Sequence, residues 1–222
     1  AENTQGWISV SPDDQQIAFV RCSYQQNNYC SLWIVDSNGE NEKELTALAK
    51  PNSITDVHWS PVGKKIAFAN GNADKGGQNY SISEFDFATG QVKIIVDEKF
   101  YHIKSLKWLP DGQNLLVAAV ENLGNSAKLW QVEEKTGAIA QISKTEDFYQ
   151  QISLDQTGQK MVATTITNRF RLNLFQTDNP QNLQVLSNAL IVSFQSDGKI
   201  LYGDGNNIWT INSDGTGRKQ LT

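Results

Sequence analysis

The side chains that carry most enzyme chemistry are few in this chain of 222 residues, which has two histidines and two cysteines. The histidines are His58 and His102, and a metal centre built on them would need further ligands that no cluster in the sequence supplies. The chain has no G-x-S-x-G nucleophile elbow, no H-E-x-x-H motif and no glycine-rich phosphate loop. The sequence therefore predicts that this chain is not an enzyme and holds no cofactor and no metal.

Neighbouring carboxylates are the other candidates for acid–base chemistry. The pairs Asp13-Asp14 and Glu133-Glu134 both stand in predicted turns, and we interpret them as solvated charge. The Asn- and Gly-rich stretch 70–79 contains an Asp, but it lacks the ligand spacing and the closing Glu of a calcium-binding loop. The sequence indicates a hairpin tip there.

The two cysteines, Cys22 and Cys30, are predicted to lie at the neck of one long polar hairpin. Facing positions on adjacent strands can satisfy disulfide geometry. The alternative is a pair of free thiols in a cytosolic protein, and two cysteines without a nearby histidine are a poor metal site. The pattern favours the disulfide bond, which indicates an oxidising compartment such as a periplasm.

These residues lie on a repeat that runs through the whole chain. Each copy contains a tight turn, and the last residues of the five turns follow one another at intervals of 49, 49, 46 and 40: Asp14, Gly63, Gly112, Gly158 and Gly198. An apolar strand follows each turn, and a further strand follows after a loop, as in 65–69 and 81–87. Turn signals at roughly 8–12-residue spacing are typical of an antiparallel meander.

A four-stranded repeat of roughly 40 to 50 residues is typical of a β-propeller blade. The strands are apolar on both faces, as in 17–20 and 115–118, which is expected where neighbouring sheets cover each other. We predict an all-β fold: one β-propeller domain whose five blades span about 6–50, 51–99, 100–146, 147–188 and 189–222. The sequence leaves open whether five blades close a ring or form part of a larger one.

The repeat resembles that of the TolB-like propeller family, a WD-like repeat. The fifth copy carries the resemblance most fully, in 196–202, 208–215 and 218–222, and the first copy ends similarly in 43–46. The fourth copy departs from the pattern because its turn, 155–158, lacks proline. The resemblance implies the fold. It implies less about function, since such propellers occur in envelope scaffolds, peptidases, lyases and sensor regulators.

Loop length distinguishes the two faces of the predicted disc. The first and third connections of each blade are tight, whereas the second connections vary in length and share their face with the links between blades. Loops on a rigid scaffold carry function, and exposed Tyr, Phe and Arg anchor protein recognition. We therefore predict a binding surface on this long-loop face, formed by Tyr24, Tyr29, Phe100, Tyr101, His102, Phe148, Tyr149 and Arg169.

Two alternatives to this surface remain open. Phe100 and Phe148 could fill the space between blades instead of contacting a partner. The mouth of the central channel is a second candidate site, for a small ligand.

The net charge and the length of the apolar runs limit the classes of partner that this chain can bind directly. The net charge of −5 has no basic cluster to offset it, which argues against direct nucleic-acid binding. No apolar run approaches the ~18 residues of a membrane span, so any membrane attachment would need a segment outside this chain. The chain begins with Ala1 rather than Met, which favours a processed form or an excised domain.

We predict a periplasmic recognition domain that binds a protein or peptide. One setting is the sensor domain of a membrane-anchored transcription regulator of the CadC type, some of which resemble this chain in carrying such propellers. The other is an envelope scaffold similar to TolB. An accessory propeller that gates a serine peptidase is the alternative, and a sugar-acid lyase would need more histidines than the chain has.

Overall fold

The fold is described by a computed structural model over residues 3–23, 29–49, 52–72, 79–144, 147–166, 170–176, 179–187, 189, 191–204 and 206–222. Within these residues the chain forms twenty strands in five four-stranded antiparallel sheets, which confirms the predicted all-β propeller. The sheets follow the chain order of the repeats, and in each the strands pair in sequence order. We number the sheets as blades one to five.

The strands of the five blades are as follows. Blade one contains β1 (Asn3–Val10), β2 (Gln16–Ser23), β3 (Tyr29–Asp36) and β4 (Lys43–Ala49). Blade two contains β5 (Asn52–Trp59), β6 (Lys65–Asn72), β7 (Asn79–Asp86) and β8 (Gln91–Phe100). Blade three contains β9 (His102–Trp108), β10 (Asn114–Val120), β11 (Lys128–Glu133) and β12 (Ile139–Gln141). Blade four contains β13 (Phe148–Leu154), β14 (Lys160–Ile166), β15 (Phe170–Gln176) and β16 (Asn179–Ser187). Blade five contains β17 (Ile191–Phe194), β18 (Ile200–Gly203), β19 (Ile208–Ile211) and β20 (Lys219–Gln220).

The core lies between blades. In the described part of the chain, four apolar clusters are found, one at each junction between consecutive blades. The cluster between blades two and three, for example, joins Ile82 and Val96 to Leu106 and Val117. A single sheet cannot cover both of its faces, so stacking of the repeats is what buries the apolar side chains.

The tight turns explain the sequence signal that marks each repeat. The last residue of every such turn has a positive φ, from 58° at Asp14 to 80° at Gly198, which favours glycine. At Gly158 a second constraint applies, because an added Cβ would lie 2.4 Å from Cδ of Pro110 in the neighbouring blade. The turns therefore specify both the hairpin and the packing of adjacent blades.

Blade one contains the predicted disulfide. Cys22 and Cys30 are direct partners in the pairing of β2 with β3, their Cα atoms are 4.1 Å apart, and their sulfurs are bonded. Both side chains are buried in the cluster between blades one and two. The prediction of the bond is confirmed.

We expect replacement of both Cys22 and Cys30 by Ala to lower the free energy of unfolding by about 2.5 kcal/mol, because the open chain regains loop entropy when it unfolds. Urea unfolding measures the difference, and the unsubstituted protein in reductant should match the double variant. Alkylation before reduction should add no mass. Two added labels on the native protein would contradict the bond.

The described residues contain no helix long and apolar enough to cross a membrane.

Candidate functional site

The long-loop face is the end of the disc where β10 leads into β11 and where β8 links to β9. Val120, the last residue of β10, pairs with His102, the first residue of β9. The Tyr101 amide donates a hydrogen bond to the Glu121 carbonyl oxygen at 3.2 Å. The second loop of blade three and the entry link of the same blade are thus neighbours, as the loop-length argument predicts.

Tyr101 and His102 are half-buried at this face. The His102 imidazole stacks on the Tyr80 ring with their centroids 4.7 Å apart, and its Nδ1 lies 2.8 Å from the Ile103 carbonyl oxygen. Burial lowers the pKa of His102, and the charge of Lys104 lowers it further. The neutral imidazole therefore packs on the Tyr80 ring, with its Nδ1–H donating to the Ile103 carbonyl oxygen.

Phe148 and Tyr29 are also half-buried at this end of their blades. The Lys104 ammonium lies 5.8 Å from the centroid of the Phe148 ring, within the range of a cation–π contact. Burial lowers the pKa of Lys104. This contact joins the inner strands of blades three and four.

Two predicted binding residues, Phe100 and Tyr149, are each only 1% exposed. Phe100 packs edge-on against Trp130, with ring centroids 5.5 Å apart, and Tyr149 packs edge-on against Phe175 at 6.3 Å. A surface role for these two rings does not agree with their burial, which matches the alternative that an aromatic side chain fills the space between blades. Tyr24 and Arg169 lie outside the described residues.

Leu123 was not predicted and is the most exposed large apolar side chain of the described residues, at 76%. It stands at the tip of a β-turn closed by a hydrogen bond from the Asn125 amide to the Asn122 carbonyl oxygen (3.1 Å), with Gly124 at a φ of 87°. The second loop of blade three therefore presents an ordered apolar tip beside Tyr101. The sequence signal that could have identified this tip is Gly124, a turn residue that follows an isolated leucine.

The central channel is the second candidate. A cavity of about 500 Å³ opens at its tight-turn end and is lined by residues of all five inner strands, including His58, Lys107, Ser153 and Ser193. Among the described residues, no group of three or more His, Cys, Asp or Glu side chains is arranged to hold a metal ion. The two histidines do not form a site together: His58 lines this cavity, whereas His102 stacks on Tyr80 at the long-loop face.

Polar groups of the channel wall mostly tie one inner strand to the next. The Asp56 carboxylate accepts hydrogen bonds from the amides of Val57 (2.9 Å) and Leu106 (2.8 Å), and Lys107 Nζ lies 3.9 Å away. His58 Nδ1 accepts from the Trp108 amide at 3.2 Å. Burial holds the pKa of His58 well below its usual value, and the Lys107 charge adds to this, so the ring stays neutral. These contacts stabilise the ring of blades and do not assemble an acid–base pair.

The predicted carboxylate pairs have different environments. Asp13, Asp14 and Glu133 are exposed, as expected of solvated charge. Glu134 is instead held at the junction of blades two and three, where Lys65 Nζ lies 2.8 Å from Glu134 and 3.0 Å from the buried Glu84.

Three comparisons place the chain among known proteins. The family model described as eukaryotic translation initiation factor eIF2A matches residues 18–178, which extend from β2 to just beyond β15. TolB of Acinetobacter baumannii superposes with a TM-score of 0.78 at 18% identity over 99% of this chain. A protein described as TolB of Agrobacterium tumefaciens gives 0.68 at 16% identity over 84% of it, and the oligogalacturonate lyase of Vibrio parahaemolyticus gives 0.72 at 12% over 99%. No curated protein sequence matches the chain significantly.

The chain spans 54% of the Acinetobacter TolB, 66% of the Agrobacterium protein and 65% of the lyase. At these identities the likeness is one of fold. The TolB-like propeller expected from the repeat is thereby confirmed.

Proposed function

We propose that this chain, which belongs to the family described as eukaryotic translation initiation factor eIF2A, is a non-enzymatic recognition propeller that binds a protein or peptide through its long-loop face. The exposure of Leu123 at the tip of an ordered turn is the observation that carries the proposal. Tyr101, His102 and Phe148 are half-buried at the same face, where His102 stacks on Tyr80 and Phe148 contacts Lys104. The buried centre of a protein interface is more apolar than the surrounding surface and is enriched in Tyr and Phe.

The disulfide of blade one supports the proposal of an extracytoplasmic setting. The family description names a translation factor, but a disulfide such as Cys22–Cys30 persists in oxidising compartments and is rare in the cytosol. We therefore propose that the domain lies in the bacterial periplasm, as a sensor domain of a membrane-anchored transcription regulator or as a TolB-like envelope scaffold. The two settings differ in the partner, which is a small effector or membrane-proximal protein in the first and an envelope protein in the second.

Site-specific photocrosslinking in cells tests the face. A photoreactive phenylalanine at position 123 should give discrete adducts, because Leu123 is exposed on the proposed surface. A photoreactive phenylalanine at position 62 is the matched control, since Val62 is 64% exposed in a tight turn on the opposite face. With a partner identified in this way, we expect Leu123→Ser and Tyr101→Ala each to weaken binding at least about tenfold.

The proposal is tested by comparing how substitutions on the long-loop face and on the tight-turn face change partner binding. Neither substitution should change the melting temperature by more than a few degrees, since both positions are at the surface. If Val62→Ser weakens binding as much as Leu123→Ser, the long-loop face is not the binding site. If the captured partner is a hydrolase domain of the same polypeptide, the peptidase alternative replaces the sensor and scaffold settings.

A further inference from the structure

One amide on the inner strand of a blade receives its hydrogen-bond acceptor from the preceding blade. This amide lies two residues before the second residue of the tight turn, and the acceptor side chain lies three residues before the equivalent turn residue of the preceding blade. The bond is present at three junctions: Ser9 accepts from Trp59 (3.0 Å), His58 from Trp108 (3.2 Å) and Ser153 from Phe194 (3.1 Å). Neighbouring inner strands are thus linked at the wall of the central channel.

The junction between blades three and four lacks this bond, because Lys107 stands at the acceptor position. A lysine ammonium has three donors and no acceptor. The amide that would receive the bond is that of Leu154. The neighbouring Asp155 amide donates to the Lys160 carbonyl oxygen at 3.0 Å, so the Leu154 amide is directed to the opposite, unpaired edge of β13. Within the described residues it has no acceptor.

The Lys107 ammonium also lacks a hydrogen-bond acceptor in the described part of the chain. Its nearest carboxylate oxygen is Oδ2 of Asp56, at 3.9 Å, which is longer than a hydrogen bond. The Asp56 carboxylate already accepts from two backbone amides, at 2.9 Å and 2.8 Å. Lys107 and Leu154 line the same cavity of about 500 Å³. Two donors without acceptors are therefore present at one space in the channel.

Ser153 adds a third donor. Its hydroxyl oxygen accepts from the Phe194 amide, which leaves the hydroxyl proton to donate. A second cavity of about 200 Å³ adjoins the first, and Lys107 and Ser153 line both. Lys104 lines the second cavity and has no carboxylate partner among the described residues, and burial lowers its pKa. An anion is the kind of group that accepts from all of these donors.

The other carboxylate of the channel wall does not meet this need. Asp155 lines the larger cavity, but its Oδ1 accepts from the Lys160 amide at 3.1 Å and its Oδ2 from the Thr157 hydroxyl at 3.0 Å. Both bonds stay within the hairpin of blade four. The acceptors of the wall are therefore already used, whereas Lys107, Leu154 and Ser153 still have donors to offer.

We propose that the central channel binds a small organic anion, a carboxylate with an apolar body. Its carboxylate accepts hydrogen bonds from the Lys107 ammonium, the Leu154 amide and the Ser153 hydroxyl. The apolar body packs against Ile8 and Val10, which line the same cavity. A few polar groups in a pocket with apolar walls are typical of a small-ligand site. The site is separate from the long-loop face, so neither proposal depends on the other.

Calorimetric titration of the 222-residue chain with phenylacetate tests the proposal. We expect a dissociation constant of about 1 mM or lower. Two matched probes should bind at least about tenfold more weakly: phenylacetamide, which has the same shape without the charge, and acetate, which has the charge without the apolar body. The amide resonance of Leu154 should shift as phenylacetate is added. Equal affinity for phenylacetamide or for acetate, or no binding of phenylacetate at about 10 mM, would overturn the proposal.

Lys107→Ser locates the site, because the new hydroxyl supplies the acceptor that the Leu154 amide lacks, as Ser9 does for Trp59. The melting temperature should stay unchanged or rise, while the affinity for phenylacetate falls at least about tenfold and the Leu154 resonance no longer responds. Lys64→Ser is the matched control, since it removes the same charge from an exposed side chain beside a tight turn. An equal loss of affinity in Lys64→Ser would indicate general charge attraction and would contradict a site at Lys107.

Discussion

Lys65→Met should lower the free energy of unfolding by about 2 to 4 kcal/mol at pH 8 and by clearly less at pH 5, measured by urea unfolding against the unsubstituted protein at each pH. Lys65 Nζ bridges Glu84 (3.0 Å) and Glu134 (2.8 Å) across the junction of blades two and three. The Glu84 side chain is 2% exposed, so removal of the bridging cation leaves two carboxylates facing each other with little water. The loss is large because the buried Glu84 carboxylate then has only the more exposed Lys93 ammonium nearby, at 3.8 Å.

The pH dependence follows from the direction of the Glu84 shift. Burial raises the pKa of the Glu84 carboxyl, the hydrogen bond from Lys65 opposes this, and the Glu134 charge raises it further. Without Lys65 the folded state takes up the proton at still higher pH than the unfolded state does. The penalty is therefore full above the folded-state pKa, decreases as the pH falls below it, and is gone below the unfolded-state pKa.

Two companion variants distinguish this mechanism from a simple loss of packing. Lys93 contacts the same carboxylates at 3.3 Å and 3.8 Å but is 53% exposed, so Lys93→Met should cost less than about 1 kcal/mol. Adding Glu84→Gln to Lys65→Met should recover most of the stability at pH 8. A Lys65→Met loss that is equal at both pH values would show that the methylene chain, not the charge, is what matters.

The repeat could be predicted from the sequence because local signals and global packing agree. The turn residues with positive φ, such as Gly63, and the near-continuous apolar strands are short-range features repeated five times. The disulfide was predictable for the same reason, since Cys22 and Cys30 pair across one hairpin. The cluster of Lys65 with Glu84 and Glu134 was not, because it forms only when two sheets stack.

The burial of Tyr149 could have been predicted by counting residues back from the tight turn of its blade. The similar stretches 99–102 and 147–150 suggest that Tyr149 corresponds to Tyr101. Tyr149, however, lies seven residues before Gln156, the second residue of the tight turn in blade four. The same count leads to Ile54 in blade two and Ile103 in blade three, and all three side chains are fully buried. Tyr101 lies nine residues before Pro110, the second turn residue of blade three, so the two aromatic stretches occupy different repeat positions. Tyr101 therefore lies in the link before β9, whereas Tyr149 lies within β13.

Phe100→Ala is expected to lower the free energy of unfolding by about 3 to 5 kcal/mol, whereas the adjacent Tyr101→Ala should lower it by less than about 1 kcal/mol. Phe100 ends β8, pairs with Tyr80 and packs edge-on against Trp130 of blade three, so its removal opens a cavity at the junction of blades two and three. Tyr101 is half-buried in the following link. Urea unfolding of both variants at pH 7 measures the contrast.

The same pair of variants separates stability from recognition. If Phe100 acts only as a packing residue, Phe100→Ala should retain its affinity for the partner at a temperature where it is still folded, while Tyr101→Ala loses affinity without losing stability. The opposite pattern, a stable Phe100→Ala protein with weakened binding, would require the ring to turn out of the core and would return Phe100 to the binding surface. The two residues are adjacent and differ mainly in burial. Their position along the chain therefore could not explain weakened binding by Phe100→Ala.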